Sequence, residues 1–279
     1  MRVLITGANG FIGSHLFDAL GWRGHEVKSW DKEYGETTAD LESFADVVKN
    51  WAPHVIVHAG ASCSTAVSLR DPVKDFTDNA VGTFNVCEAS RLAGGVPVIF
   101  LSTVKVHSGV DGKVAPLGVS KRVGEMYLHM YGEVFGVPYV INRPSTVYGP
   151  RQDGSSDSGW VTWFLRAAKE GRQITINGDG TQSRDILFIE DFTALLVDQV
   201  ENFDLYQGGV YEVGGGPDNE VSLNELLGFI GYGNTVTGER LPGDLQCTVT
   251  DNTAVTDVNG WKPTTGWQDG VEKTRRWLS

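Results

Sequence analysis

Aliphatic, β-branched stretches alternate with amphipathic ones along the first half of the chain. Val3–Ile5, Val27–Asp31, His54–His58, Pro97–Leu101 and Val137–Ile141 predict five strands. Between them the apolar positions take helical spacing. Phe11, Ile12, Leu16 and Leu20 share one face, a helix opens at Asp40-Leu41 and runs to about Trp51, and another runs from about Gly118 to Phe135. Asp71-Pro72 starts a long amphipathic stretch that ends near Leu92, with proline in the first turn. Strands alternating with helices predict an α/β fold with a doubly wound parallel sheet. After Arg143 the segments shorten and turn rich in glycine and aspartate, at Pro150–Gly159, Asn177–Gly180, Gly214–Pro217 and Leu241–Asp244. Helices are expected at 160–170, 191–200, 222–230 and 268–278. Residues 1–143 therefore read as one domain and 144–279 as a smaller C-terminal lobe that partly returns to the sheet.

The first strand runs into Gly7, Gly10 and Gly13, with Asn9, Phe11 and Ile12 between and around them. A strand, a glycine turn and a helix start aim backbone N–H groups at one point, which suits a pyrophosphate. A Cβ there would block the anion or the packing of helix on sheet. Asp31 ends the second strand, 18 residues after Gly13. A carboxylate at that place accepts both hydroxyls of an adenosine ribose and repels a 2′-phosphate, so the site reads as Rossmann-type and favours NAD over NADP. His58 and the small residues Ala59, Gly60 and Ala61 leave the third strand at its carboxyl end, where open α/β sheets place ligands. Ser102 and Thr103 leave the fourth in the same way.

Composition narrows the partners. The 279 residues are 41% hydrophobic and 21% charged, ordinary for a globular chain with a sizeable core. A net charge of −12 argues against a nucleic-acid or anionic-membrane binder. Cys63, Cys87 and Cys247 are scattered, with no CxxC and no Cys/His cluster, so neither a disulfide framework nor a metal site is expected. No apolar run approaches the 18 or more residues of a membrane span. With a strand starting at residue 2, no targeting segment is expected and a cytoplasmic location is the default.

Taken in order, several motifs resemble the extended short-chain dehydrogenase/reductase superfamily, in particular its nucleotide-sugar epimerases and dehydratases. They are Thr6–Gly13, Asp31, Asp40-Leu41, His58–Ala61, Asn79–Thr83, Ser102-Thr103, Lys121, Arg143–Pro150, Arg184-Asp185 with Asp191, Gly214-Gly215 and Gly260–Pro263. A narrower set resembles the CDP-tyvelose (CDP-paratose) 2-epimerases: Asp75–Asn79, Ser102–Val106, Tyr148–Gln152, Gly159–Phe164 and Ile174–Gly180. The resemblance implies a tightly held NAD that takes a hydride from a sugar carbon and returns it to the other face. It adds Asp40, Leu41, Asn79 and Ser102 to the cofactor site. It gives Thr103 the sugar oxygen, and Lys121 the nicotinamide ribose. It places Arg143, Tyr148, Arg151, Gln152, Arg184 and Asp244 on the nucleotide-sugar, with Arg184 on its diphosphate. From the residues alone, Thr103 equally suits a strand-end turn cap, and Lys121 a solvated helix lysine.

One position departs from the pattern. The family's acid/base is a tyrosine four residues before the lysine, on the same helix face. Here that residue is Leu117, which carries no proton. Only nine residues, Ser108 to Pro116, separate His107 from Leu117. His107 is the nearest titratable candidate to replace the tyrosine, with an unperturbed pKa near 6.5. Three readings stand: an NAD-dependent epimerase, with C2 of a CDP-sugar as a candidate centre; a non-catalytic NAD and nucleotide-sugar binder; and a reductase or dehydratase of the same superfamily. The helices at 72–93 and 118–135 resemble the pair that forms a homodimer interface in the family.

Overall fold

The structure is a computed structural model and describes residues 1–107, 115–240 and 246–279. It divides into two compact units. The first comprises Met1–Val106, Pro116–Arg143 and Thr193–Tyr211; the second holds His107, Ala115, Pro144–Phe192 and Glu212–Ser279. The first unit thus takes Thr193–Tyr211 from beyond residue 143.

Strands β1 (Arg2–Thr6), β2 (Glu26–Trp30), β3 (Val55–His58), β4 (Val98–Leu101) and β5 (Tyr139–Pro144) come first. They are followed by β6 (Thr146–Tyr148), β7 (Ile174–Asn177), β8 (Ser183–Phe188), β9 (Val210–Val213), β10 (Glu220–Ser222), β11 (Thr235–Gly238) and β12 (Cys247–Thr248). A six-stranded sheet has the order β2-β1-β3-β4-β5-β9. It is parallel from β2 through β5. All four residues of β3 and of β4 are buried, as strands covered on both faces must be. Leu4, Ile56, Val98, Phe100 and Ile141 join Phe44, Val48, Val86, Leu128 and Tyr131 from the helices in one core. The chain leaves β1 for β2, then crosses back past β1 to β3. The winding direction reverses between β1 and β3, and ligands bind at the carboxyl ends beside such a reversal.

The helices that position the site are α1 (Phe11–Trp22), α2 (Leu41–Trp51), α3 (Thr65–Arg70), α4 (Pro72–Phe76), α5 (Gly82–Leu92) and α6 (Pro116–Phe135). Their starts follow from local chemistry. Asp40, Ser64 and Asp71 each accept a backbone N–H of the first turn through the side chain. The stretch expected as one helix over 72–92 is instead α4, a single π-helical turn at Thr77–Val81, and α5.

In the second unit β8 pairs with β6 and β12 in parallel and with β10 antiparallel, while β7 pairs with β11. The sequence places no individual strand here, only a lobe that partly returns to the sheet. The expected helices are present at Trp160–Lys169, Ile189–Glu201, Leu223–Ile230 and Trp267–Leu278. Among the described residues no helix is long and apolar enough to cross a membrane.

Candidate active site

Gly7 ends β1 with a left-handed backbone, φ +68°. A Cβ there would lie 2.7 Å from the Gly60 Cα, so the first and third strand ends close on one another. A Cβ on Gly13 would lie 2.1 Å from the Gly7 carbonyl oxygen. Gly10 differs: the nearest atom to a Cβ is that same oxygen, at 3.1 Å, and nothing else lies within 4 Å. Behind it α1 starts with no side-chain cap and no acid in its first turn. Its N–H groups and positive dipole end therefore face an open space, with Phe11 and Ile12 half-buried beside it. A pyrophosphate fits this cradle.

Asp31 is buried at the end of β2. Its carboxylate accepts the Asn9 N–H at 2.9 Å and the Glu33 N–H at 3.1 Å. Two oxygens offer about four lone-pair directions, so acceptor capacity is left for ribose hydroxyls. Two further carboxylates stand close: Glu33 accepts from the Asn9 side chain at 3.0 Å, and Glu36 from the Asp31 N–H at 3.0 Å. This negative surround opposes a 2′-phosphate. Asp40 is exposed and caps α2, and the side chain and N–H of Ser43 hold its carboxyl below the usual carboxylate range. Leu41 follows it, partly buried.

Beneath this turn runs a directed chain of buried hydrogen bonds. The Gly60 N–H donates to Thr6 Oγ1 at 3.0 Å, and Thr6 Oγ1 lies 2.7 Å from His58 Nδ1. His58 Nε2 lies 3.1 Å from Thr83 Oγ1, which donates to the Asn79 carbonyl at 2.6 Å. Thr83 spends its proton on that carbonyl, so it receives one from Nε2, and Thr6 donates to Nδ1. Burial, then the charge of Lys121, lowers the His58 pKa to about 3. The imidazole is a neutral strut that supports the Ala59–Ala61 turn through Gly60.

Asn79 sits in the π-helical turn, buried. Its Oδ1 accepts the Ser62 N–H at 2.9 Å, and its Nδ2 lies 3.1 Å from the Ser62 carbonyl, 3.0 Å from Asp75 Oδ1 and 3.1 Å from Ser120 Oγ. One side chain thus ties the loop after β3 to the start of α6. Lys121, on α6, is buried and donates to the Leu101 carbonyl at 2.7 Å. Burial lowers its pKa to about 8, offset in part by Cys63, Asp75 and Glu125. It is not a solvated surface lysine. Thr103, two residues past Leu101, is half-buried and accepts the Lys105 N–H at 3.2 Å. It caps the turn after β4 and keeps its own O–H to donate. Leu117 is buried, and its N–H donates to Ser68 Oγ at 3.3 Å.

Glu125, four residues past Lys121, is a site residue the sequence reading missed; the helical spacing from Lys121 was the available signal. It accepts from Ser102 Oγ at 2.6 Å, from Arg143 at 2.7 and 2.9 Å, and from Arg122 at 2.7 Å. Burial acts to raise its pKa, but the bonds from Arg143, Ser102 and Arg122 outweigh it and hold the carboxyl below the usual range. Arg143 was expected to face a substrate. The structure gives it a different use, as a two-pronged clamp on Glu125.

In the second unit several expected substrate residues also serve the scaffold. Tyr148 is fully buried and donates to the Trp267 carbonyl at 3.1 Å. Gln152 donates to the Val147 carbonyl at 2.9 Å and accepts from Thr162 at 2.7 Å. Arg151 precedes it, exposed, with φ +66°, a conformation that non-glycine residues seldom adopt. Arg184 donates to the Ser183 carbonyl at 2.6 Å and is half-buried. Asp185 is buried, its pKa raised by that burial, and holds the Gly214–Gly216 turn through the Gly216 and Thr250 N–H groups. Asp191 accepts from Thr264 and Thr265, and its carbonyl accepts from Trp261. The Gly260–Pro263 motif is thereby explained as a latch. His107 pairs with Glu212 at 2.5 Å. Asp244 lies outside the described residues. Among the described residues no group of acids, histidines and cysteines could hold a metal ion.

Residues 3–214 match the NAD dependent epimerase/dehydratase family. The chain belongs to this family. It is 33% identical to a UDP-glucose 4-epimerase of Mycolicibacterium smegmatis, over 98% of this chain and 97% of that one. It is 29% identical to a CDP-paratose 2-epimerase of Salmonella typhi, over 100% and 99%. The solved UDP-glucose 4-epimerase of Thermus thermophilus, in complex with NAD, is similar with a TM-score of 0.88, 28% identity and coverage of 100% and 99%. The cofactor of an NAD-dependent epimerase/dehydratase suits the Gly7–Gly13 cradle and Asp31, and the protein is an NAD enzyme of this family.

Proposed function

We propose that the protein epimerises a nucleotide-sugar. The observation that carries this is the pairing of Lys121, buried and anchored on the Leu101 carbonyl, with the Thr103 hydroxyl at the same strand end. NAD supplies a reversible hydride acceptor when bound. Gly7, Gly10, Gly13 and the start of α1 would hold its pyrophosphate, Asp31 its adenosine ribose, and Lys121 its nicotinamide ribose. Thr103 would donate to the sugar oxygen. Arg184 and Arg151 would take the phosphates of the nucleotide-sugar. In place of the missing tyrosine proton we assign His107, whose ring Glu212 orients.

The narrower resemblance and the 29% identity to a CDP-paratose 2-epimerase support C2 of a CDP-sugar, while the 33% identity to a UDP-glucose 4-epimerase supports C4 of a UDP-sugar. Leu117 favours a second reading, a binder of NAD and nucleotide-sugar without turnover. Mass spectrometry of ligands released from the denatured protein, followed by a panel of UDP- and CDP-hexoses, tests both. Turnover of a panel member supports epimerisation. Bound NAD and sugar with no turnover, and no solvent or hydride exchange, overturns it in favour of the binder.

We also propose a cytoplasmic homodimer. Leu69, Val73 and Phe76 on α3–α4, and Val119, Met126 and Val134 on α6, expose large apolar side chains. A second copy on these helices is the proposed cover, and a monomeric mass by light scattering at micromolar concentration would refute it.

A further inference from the structure

Lys121 is only 5% exposed. Its nearest contacts are the Leu101 carbonyl at 2.7 Å and the Phe100 ring, whose centre is 4.8 Å from Nζ. Neither carries a full negative charge. A buried ammonium without a counter-charge gives up its proton. The titratable groups that face Lys121 are His58, Cys63, Asp75 and Glu125. His58 is neutral. Glu125 is already matched by two arginines, Arg143 and Arg122. Cys63 also favours the ammonium but is exposed to water. Among the buried acids Asp75 is the one left unmatched, and it is 1% exposed.

Its surroundings are unusual for a buried carboxylate. Among the described residues no lysine, arginine or histidine lies within salt-bridge distance of Asp75, and its neighbour Asp78 is occupied by Lys74. Its oxygens accept instead from two neutral side chains, Oδ1 from Asn79 at 3.0 Å and Oδ2 from Ser120 at 2.6 Å. Ser120 immediately precedes Lys121, and Asn79 also bonds Ser120. A buried acid without a cation and a buried cation without an acid are therefore joined through one residue. We propose that Asp75 is a positioning residue whose carboxylate is the counter-charge that keeps Lys121 an ammonium, while Ser120 and Asn79 hold that carboxylate in place through neutral hydrogen bonds. The consequence for catalysis rests on Lys121 holding the nicotinamide ribose; the charge pairing itself does not.

The test follows the lysine directly. The Lys121 side-chain carbon next to the amine is titrated by NMR in the full-length protein, assigned with Lys121→Gln. Asp75→Asn keeps the size and the hydrogen bonding but removes the charge, and is expected to weaken proton binding at Lys121 by about tenfold, one pH unit. Ser120→Ala removes one hydrogen bond to the carboxylate but keeps the charge, and is expected to change it by less than about twofold. An unchanged midpoint in Asp75→Asn, or an equal shift in Ser120→Ala, overturns the proposal. If Asp75→Asn does not fold, Lys121→Gln supplies the reciprocal measurement. Linkage requires that loss of Lys121 strengthen proton binding at Asp75 by the same factor, and absence of that shift overturns the proposal equally. NAD affinity measured on the same variants separates the two ideas. A shifted lysine with unchanged NAD affinity keeps the charge pair and refutes the ribose role.

Discussion

Gly13 packs against Gly7 so closely that a Cβ on Gly13 would lie 2.1 Å from the Gly7 carbonyl oxygen. Both atoms belong to the backbone, so no flexible side chain can give way. Gly13→Ala is expected to displace α1 from the β1 turn, costing about 1–3 kcal/mol in overpacking and lowering NAD affinity at least tenfold. Calorimetric titration with NAD and a denaturant melt read the two effects. Gly10→Ala, which meets only one atom at 3.1 Å, is expected to keep the fold stability and lose affinity alone.

Lys121 is expected to show function at odds with stability. Its pKa of about 8 in the fold lies below the ordinary 10.5, so the folded protein holds this proton less tightly than the unfolded chain. Its contribution to stability is complete above pH 10.5 and falls as the pH drops through 8. At pH 7 burial of the ammonium opposes folding. Stability is therefore expected to rise between pH 8 and 10.5, by up to about 1.4 kcal/mol per pH unit, and Lys121→Met is expected to flatten that rise. The same variant should lose NAD affinity. An equal rise in the variant, read from urea melts across this range, would contradict this.

His58 gives the acid limb. Its pKa near 3 in the fold against 6.5 means the unfolded chain takes up a proton that the folded one refuses. Stability is full above pH 6.5 and declines as the pH falls toward 3, by several kcal/mol at most. Urea melts at steps between pH 7 and 4 should show this slope. In His58→Gln, which cannot charge, the slope should flatten while the stability at pH 7 falls by about 1–3 kcal/mol from the broken chain of hydrogen bonds.

Leu117→Tyr restores a proton donor at the family position. Leu117 is 2% exposed, so the larger ring is expected to cost about 1–3 kcal/mol. Turnover of a nucleotide-sugar should nevertheless rise at least tenfold if proton transfer limits the native protein. Equal turnover in both proteins would place the limiting step elsewhere.

The parts legible in the sequence were those specified locally. β1, β3 and β4 are apolar runs, and Asp40 and Asp71 announce their helices with a side-chain cap. Gly7, Gly13 and Asp31 were legible because the glycine spacing and an acid at a strand end form a pattern within one strand–turn–helix–strand stretch, whereas Lys121 was legible only through the family resemblance. The strands of the second unit were not, because their partners are distant: Val221 is in register with Arg184 and Val236 with Thr175. The same reason hid Ser62 and Ser120, which Asn79 brings together across 17 and 41 residues. Arg143, Tyr148 and Gln152 carry groups suited to a ligand, and only the fold shows that Glu125, Trp267, Val147 and Thr162 already engage them. A polar side chain's type limits its possible partners, while its actual partner is a tertiary fact.

The π-helical turn at Thr77–Val81 has a consequence for how this protein can vary. A π turn holds one more residue than an α turn, so it rotates everything after it by roughly a quarter-circle about the helix axis. Removing one residue from Asp78–Ala80 would let α4 and α5 fuse into a regular helix, with better local hydrogen bonding. It would also swing Thr83 away from His58 or Asn79 away from Ser62, because the two cannot both keep their places once the extra residue is gone. Length, rather than residue identity, is the quantity under constraint here. A one-residue deletion that improves the helix would dismantle the site.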